Sequence, residues 1–432
     1  YVYDVDQDGN IESGDGDKVI VYFGLGRGGN AYYALDVTDP ETPKLLWRVQ
    51  RTSGGDFDEL GQTWSTPRVA DMVYGGSSTP APVLIFAGGY DTNKDTSSSG
   101  HTAAAGGDDT YGNAVYVVNA LTGALVWKAV YNSSVSSPDY DSNTKAYRRN
   151  DMRDGIPSAV TVMDANGNGL ADRIYVGDTG GKLWRGDLYS NNESAWSLVP
   201  ILSVGRHYDS AASADRRFFF PPDVTQTKED NGTLYDAVSV GTGDRESPLA
   251  TAVTNYFYMF KDFDTTSGTL TNYTTNGTRT PANLDDVTSN CLQNNTCSPT
   301  PTLANGWRMQ LSCPNLGNPS TCGEKSLATA VSIKDVIYFT TYIPPSSKGT
   351  TCGPREGSGL LYIISQKNAT AVLNLDTSTE GLTTSDRYDE IAAAGIPTEV
   401  VPVGGNKIVD PGLTIRETPG QSGFRTFWYM NE

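Results

Sequence analysis

Asp164–Leu188 reads DANGNGLADRIYVGDTGGKLWRGDL, and its two halves carry different information. The first nine residues set oxygen-bearing side chains at Asp164, Asn166 and Asn168, offer the Leu170 carbonyl, and close on Asp172. Hard oxygen donors at this spacing, with glycines for the sharp turns, form the pattern of a calcium loop in a nine-residue version. The remainder gives two strand-forming runs, RIYVG and KLWRGDL, joined by the turn Asp178-Thr179-Gly180-Gly181. With two formal charges among its ligands, this loop is expected to hold Ca²⁺ less tightly than a more acidic one.

The hairpin recurs along the chain. KVIVYFG and NAYYALDV are followed by KLLWRVQ; STPRVADMV and APVLIFAGGYD by GNAVYVVNA and ALVWKAV. IPSAVTVMD precedes the opening hairpin, and AWSLVPIL follows it. A fourth unit reads PPDVTQT, DAVSVGTGDRE, NYFYMFKDF and GWRMQL; a fifth reads SLATAVSIK, VIYFTTYI, GLLYIISQ and TAVLNLD. A sixth begins at GIPTEVVPVGG and runs towards Phe427-Trp428-Tyr429. Asp36, Asn119, Asp187, Asp262 and Gln366 fall at equivalent third-strand ends, at uneven steps that leave room for inserted loops. Four short alternating strands per unit is the pattern of a propeller blade, which must pack against other blades to bury both faces. The expected fold is all-β, a modified β-propeller of six to seven four-stranded blades with long inserted loops, forming one domain over residues 1–432. A series of β-sandwiches explains the recurring third-strand aromatic less well.

Residues 264–305 and 376–395 read as insertions, the second with one short helix in STEGLTTSDRYDEIAAAG, and 133–150 reads as polar and irregular. Trp47, Trp127 and Trp307 fall in outer strands, where inter-blade packing is their expected role. The turns Gly26-Arg27-Gly28-Gly29 and Gly180-Gly181 match no phosphate-binding loop and are expected to be tight turns near the propeller axis.

A second acidic loop opens the chain. Asp4, Asp6 and Asp8 occupy alternate positions, Gly9 supplies the turn, and Asn10 offers its carbonyl. Two closures fit: a shorter loop ended by Glu12, or a twelve-residue loop ended by Asp15. Asp91-Thr92-Asn93-Lys94-Asp95 is a partial match, but it holds a lysine and lacks both glycine and a closing acid, so it reads as a polar loop.

Composition narrows the function. Lys and Arg total 32 against 50 Asp and Glu, a formal charge of −18, which argues against a nucleic-acid partner because phosphate neutralisation needs a basic face. No apolar run approaches the roughly eighteen residues of a membrane-spanning helix. The missing initiator Met and signal-like start suggest a processed product or excised fragment. Five cysteines between Cys291 and Cys352 suggest local staples in an oxidising compartment. Cys291–Cys297 and Cys313–Cys322 are the short-loop pairs, leaving Cys352 over, though other pairings remain open. Two histidines, His101 and His207, and no Cys-x-x-Cys argue against zinc. No nucleophile elbow or His-Glu-x-x-His stands in the chain, so no enzyme is expected.

FGLGRGGNAYYALDVTDPETPKLLW (23–47), LGQTWSTPRV (60–69), residues 156–188, GEKSLATAV (323–331) and VIYFTTYIPP (336–345) together resemble the PilC/PilY family of type IV pilus assembly and tip-adhesin proteins. The resemblance is collinear from residue 4 to about 365. It implies a C-terminal modified β-propeller, usually of seven blades, lying downstream of a variable, often adhesive region absent from this chain. It also implies calcium loops that govern pilus extension and retraction, and so twitching motility, in an exported bacterial protein at the pilus tip or outer membrane. The implied partners are minor pilins of the tip complex and a host or abiotic surface receptor. The family's nine-residue loop falls on Asp164, Asn166, Asn168, Leu170 and Asp172, and its upstream loop on Asp4, Asp6, Asp8 and Glu12. Some members carry an Arg-Gly-Asp integrin-binding triplet near the upstream loop; this chain is read as having none, with Gly26-Arg27-Gly28-Gly29 and Asp151-Met152-Arg153-Asp154 instead, so integrin binding is not carried over. The alternative from another class is a quinoprotein-type dehydrogenase, also a calcium-bearing propeller, which commonly uses an adjacent cysteine pair that this chain lacks.

Overall fold

The computed structural model describes the chain except for residues 7, 13, 98–99, 102–107, 267, 269, 271, 274–276, 318–321, 346–355, 376–379, 393–394, 405–406 and 418–432. Six successive sheets follow the sequence units. The first holds Val2–Tyr3, Lys18–Gly24, Ala31–Asp36 and Lys44–Gln50 in that spatial order; the third holds Thr161–Met163, Arg173–Gly177, Lys182–Asp187 and Ser197–Ser203. The second is built on Arg68–Met72, Ala81–Ala87, Ala114–Asn119 and Leu125–Tyr131, the fourth on Asp223–Lys228, Leu234–Gly241, Tyr256–Asp262 and Gly306–Gln310. The fifth runs Val331–Ile333, Val336–Ile343, Ser358–Ser365 and Tyr388–Ile391, and the sixth Val401–Gly404, Lys407–Val409 and Ile415–Glu417.

Side-chain alternation explains how the sheets stack. Successive residues of a strand point to opposite faces. In Ala81–Ala87, Leu84 and Phe86 pack with Tyr32 and Trp47 of the first sheet, while Val83 and Ile85 pack with Ile174 and Trp184 of the third. Tyr256–Asp262 repeats this: Tyr258 and Phe260 join Tyr175 and Leu183, and Phe257 and Met259 join Phe339 and Tyr362 of the fifth sheet. Val336 and Tyr338 then meet Val400 and Ile408 of the sixth region. Strands buried on both faces read as continuous apolar runs, as APVLIFA and YFYMF do. This serial face-to-face stacking of mostly four-stranded sheets is a modified β-propeller.

Fourth-strand tryptophans seal the blade junctions. Trp47 Nε1–H donates to the Ala120 carbonyl at 2.8 Å, and Trp307 Nε1–H to the Gln366 carbonyl at 2.9 Å. Each acceptor lies in the next blade, just past its third strand. Trp127 packs edge-on to Trp196, with ring centroids 6.0 Å apart. Where turns from different blades converge, glycine is sterically required: a Cβ at Gly89 would fall 2.0 Å from the Gln62 carbonyl oxygen.

Three segments depart from the sequence reading. Residues 133–150 contain a hairpin: Asp139–Asp141 pairs with Ala146–Arg149, which runs parallel to Leu125–Tyr131. Arg148 holds it by ion pairs to Asp139 at 2.6 Å and Asp141 at 3.2 Å, a charged pattern that apolar periodicity does not reveal. In the fifth blade TAVLNLD contributes only an isolated bridge at Ala371, and the fourth strand is Tyr388–Ile391. The helix expected within 376–395 is, among the described residues, a single 3₁₀ turn at Thr384–Arg387. Asp386 caps its start by accepting from the Thr383 amide and also takes the Leu375 amide. Arg387 is drawn inward to the carbonyls of Val287 and Thr288, which commits the chain to an extended path. Within 264–305, Asp285–Asp286 adds a parallel strand to the fourth sheet. Cys291–Cys297 and Cys313–Cys322 form the expected disulfides; Cys352 and Phe427-Trp428-Tyr429 lie outside the described residues.

Candidate metal centres

Asp164 ends the turn out of Thr161–Met163, and Asp172 immediately precedes Arg173–Gly177. The loop is thus let into the connection between two paired strands, whose register sets Met163 opposite Arg173. Its carboxylates turn inward. Asp164 Oδ1 accepts from the amides of Gly167 at 2.7 Å and Asn168 at 3.1 Å, and Oδ2 from Gly169 at 2.6 Å. Asp172 Oδ1 accepts from Ala165 N–H at 2.8 Å, and Oδ2 from the Asn166 side-chain amide at 2.6 Å. Asn166 Oδ1 accepts from Asn168 N–H, and Asn168 Oδ1 from Leu170 N–H. Gly169 has φ +85°, a conformation a Cβ would strain. Asp164 and Asp172 are buried, and Asn166 and Asn168 are exposed. Every expected side-chain ligand therefore lies on one tightly wound, all-oxygen loop, a donor set that suits calcium.

The N-terminal loop has the same winding. Gly9 N–H donates to Asp4 Oδ2 at 3.0 Å, Asp8 N–H to Asp6 Oδ1 at 3.3 Å, and Asn10 N–H to Asp8 Oδ1 at 2.7 Å. Carboxylate oxygens of Asp4, Asp6 and Asp8 lie within 4.8 Å of one another. At that separation each like-charged pair repels by about 1 kcal/mol even at the dielectric of water, which a divalent cation would reverse. Glu12, Asp15 and Asp17 all lie outside this group of carboxylates; Glu12 and Asp15 are exposed. Asp17, which the sequence reading passed over, is buried, and the N–H groups of Glu12 and Val5 hold its carboxyl below the usual range.

Asp91–Asp95 is a 3₁₀ turn at Thr92–Lys94 that points its lysine inward. Asp91 caps it, accepting from Asn93 N–H at 3.1 Å and Thr110 N–H at 2.8 Å. Lys94 Nζ lies 2.8 Å from Asp154 and 3.4 Å from Asp109, and the Lys94 carbonyl accepts from Arg217. His207 meets the other Asp154 oxygen at 2.6 Å. Nearby, Arg27 pairs with Asp95 at 2.6 Å and lies 3.8 Å from Glu246. Loops of the first four blades thus meet on this network. Burial pushes the Asp109 carboxyl up to about 7, Lys94 offsetting only part, and burial with the Asp154 charge raises Asp178 to about 6. Asp154 resists burial and stays low because His207 and Lys94 hold its charge. Among the described residues Cys313, Cys322 and Glu324 also cluster, but both thiols are spent in a disulfide.

An Arg-Gly-Asp triplet does exist, at Arg185-Gly186-Asp187, and the sequence reading missed it. It lies in a central strand with Arg185 and Asp187 fully buried. Arg185 pairs with Asp187 at 2.9 Å and with Asp262 at 2.8 Å. Arg173 continues the network to Asp236, and the Tyr175 hydroxyl lies 2.8 Å from Asp236 and 2.7 Å from Asp262. The triplet is structural and offers nothing to a receptor.

Fold and sites together define a modified β-propeller with two acidic loops let into equivalent blade connections. No family model matches the chain. It is 22% identical over 435 residues to a type IV pilus biogenesis factor PilY1 homolog of Xylella fastidiosa, covering 94% of this chain and 25% of that protein. It is 28% identical over 170 residues to the type IV pilus biogenesis factor PilY1 of Pseudomonas aeruginosa, covering 39% of this chain and 11% of that one. The crystal structure of the Pseudomonas aeruginosa PilY1 C-terminal domain superimposes with a TM-score of 0.61 at 18% identity, covering 94% of this chain and 84% of that one. The chain is thus similar to type IV pilus biogenesis factors named PilY1, and its fold is that of a PilY1 C-terminal domain. The chain spans about a quarter of the first of these relatives and about a tenth of the second.

Proposed function

We propose that this chain is a single, non-enzymatic calcium-binding propeller domain of a pilus-tip protein, acting in pilus assembly, in calcium-dependent control of extension and retraction, and in surface adhesion. The observation that carries the reading is the shared winding of the two loops, each gathering hard oxygen donors between the first two strands of a blade. Asp164, Asn166, Asn168, Leu170 and Asp172 would hold one ion, and Asp4, Asp6, Asp8 and Asn10 the core of another. A bound Ca²⁺ supplies positive charge that rigidifies these loops without entering the blade cores. The ordered loop edge then presents one fixed surface to minor pilins or a surface receptor. The disulfides and the acidic surface fit an exported, extracellular setting. The quinoprotein alternative is disfavoured because the sequence has no adjacent cysteine pair and each acidic loop draws its donors from itself. The test is Asp172→Ala in the full-length protein of a piliated cell. Loss of calcium at that loop should alter calcium-dependent extension and twitching; lost binding with unchanged extension and retraction would sink the regulatory role.

A further inference from the structure

The two acidic loops can be matched atom by atom, and the match assigns a ligand that neither loop pattern supplies. Gly9 N–H to Asp4 Oδ2 corresponds to Gly169 N–H to Asp164 Oδ2. Asp8 N–H to Asp6 Oδ1 corresponds to Asn168 N–H to Asn166 Oδ1, and Asn10 N–H to Asp8 Oδ1 corresponds to Leu170 N–H to Asn168 Oδ1. Gly9 and Gly169 share φ values of +83° and +85°. A constant numbering offset would carry Asp172 onto Glu12, and there the correspondence breaks.

Asp172 closes its loop by accepting Ala165 N–H at Oδ1, 2.8 Å away. The equivalent amide, Val5 N–H, donates to Asp17 Oδ1, also at 2.8 Å. Strand register agrees: Tyr3 lies opposite Lys18 and Met163 opposite Arg173, so Asp4 and Asp164 leave one strand where Asp17 and Asp172 enter the next. Both closing aspartates are 3% exposed, whereas Glu12 and Asp15 are exposed. Glu12 N–H donates to Asp17 Oδ2 at 2.9 Å, and Asp15 N–H to the Glu12 carbonyl at 3.1 Å. Of the described residues between Ile11 and Asp17, Glu12, Gly14, Asp15 and Gly16 are all exposed, and the chain is buried again at Asp17.

Resting on the calcium reading above, we propose that Asp17, not Glu12 or Asp15, is the closing ligand of the first loop, and that residues 12–16 are an excursion inserted into a nine-residue loop. Joining Ile11 directly to Asp17 gives DVDQDGNID, the length of DANGNGLAD at 164–172. The first site then has four carboxylates, Asp4, Asp6, Asp8 and Asp17, against two in the second, and binds calcium more tightly.

The decisive variant excises residues 12–16 from the full chain, removing both Glu12 and Asp15 while keeping Asp17. Calcium is titrated by calorimetry, with the second loop as internal control. The proposal expects the first site to survive the excision with affinity changed less than about tenfold, and to be weakened by more than about tenfold in Asp17→Asn. Glu12→Gln and Asp15→Asn should leave it within about threefold of wild type. Loss of the first site on excision while the second still fills overturns the assignment, as does loss in Glu12→Gln with Asp17→Asn unaffected. A wild-type titration showing no site that Asp4→Ala removes overturns the loop itself, an outcome separable from a wrong closing residue.

Discussion

Asp236→Ala should destabilise the propeller more than Arg173→Met, and the two losses should differ in their pH dependence. Arg173 begins the strand that leaves the Asp172 loop and reaches across the blade junction to Asp236, with both side chains fully buried. Its remaining contacts are the Thr265 carbonyl at 2.9 Å and Asp187 at 3.6 Å. An arginine cannot shed its proton, so removing Asp236 strands a buried charge, at a cost of about 3–5 kcal/mol. Removing Arg173 instead leaves a carboxyl that burial already raises above its usual range. Asp236 can then take a proton and neutralise itself. A carboxyl whose folded pKa lies above its unfolded value stabilises the native state below the unfolded pKa, near 4, and loses that contribution as pH rises through the folded pKa. The Arg173→Met deficit relative to wild type should therefore grow between pH 5 and pH 8, by up to about 1.4 kcal/mol per unit, while the Asp236→Ala deficit should not grow, because only the wild type carries the raised carboxyl whose contribution is lost as pH rises. Urea midpoints at pH 5, 6.5 and 8 measure both. An Asp236→Ala loss below about 1 kcal/mol, or an Arg173→Met deficit equal at pH 5 and 8, would refute the reasoning.

Two further perturbations probe the blade junctions. Because the Asp109 carboxyl is pushed up to about 7, it should weaken the fold as pH rises from about 4 to 7, by up to about 4 kcal/mol. Asp109→Asn, which leaves Lys94 paired with Asp154, should flatten that part of a stability-versus-pH curve; an unchanged slope places the cause elsewhere. Trp307→Phe keeps a ring in the core but leaves the Gln366 carbonyl without its donor. Chemical denaturation should show a loss of about 1–3 kcal/mol, and no measurable loss would mean that the indole hydrogen bond contributes little to that junction.

The blades were legible because strands buried on both faces must be apolar throughout. APVLIFA and YFYMF announce themselves, and Asp36, Asn119, Asp187 and Asp262 do end third strands. The winding of the Asp164–Asp172 loop was legible because the side chains that turn inward on it are close together in sequence. Where backbone amides decide the geometry, the sequence was silent. Asp17 closes its loop through N–H groups of Val5 and Glu12, and a five-residue excursion hides it from any fixed-spacing motif. Alignment of the strand-opening residues Lys18 and Arg173 is the signal that could have found it. The Asp139–Asp141 hairpin and the Arg387 insertion escaped for a related reason, since charges that are buried or paired across strands look like loop residues in composition. Arg185-Gly186-Asp187 shows the converse: a motif that reads as a receptor ligand is fixed in a central strand by the ion pairs around it.

The central claim is that these loops hold calcium. Its most direct test is a calorimetric calcium titration of the purified chain. The account predicts two sites, the tighter abolished by Asp4→Ala and the weaker by Asp172→Ala, with the fold intact in each. Zero stoichiometry in the wild-type chain would contradict it.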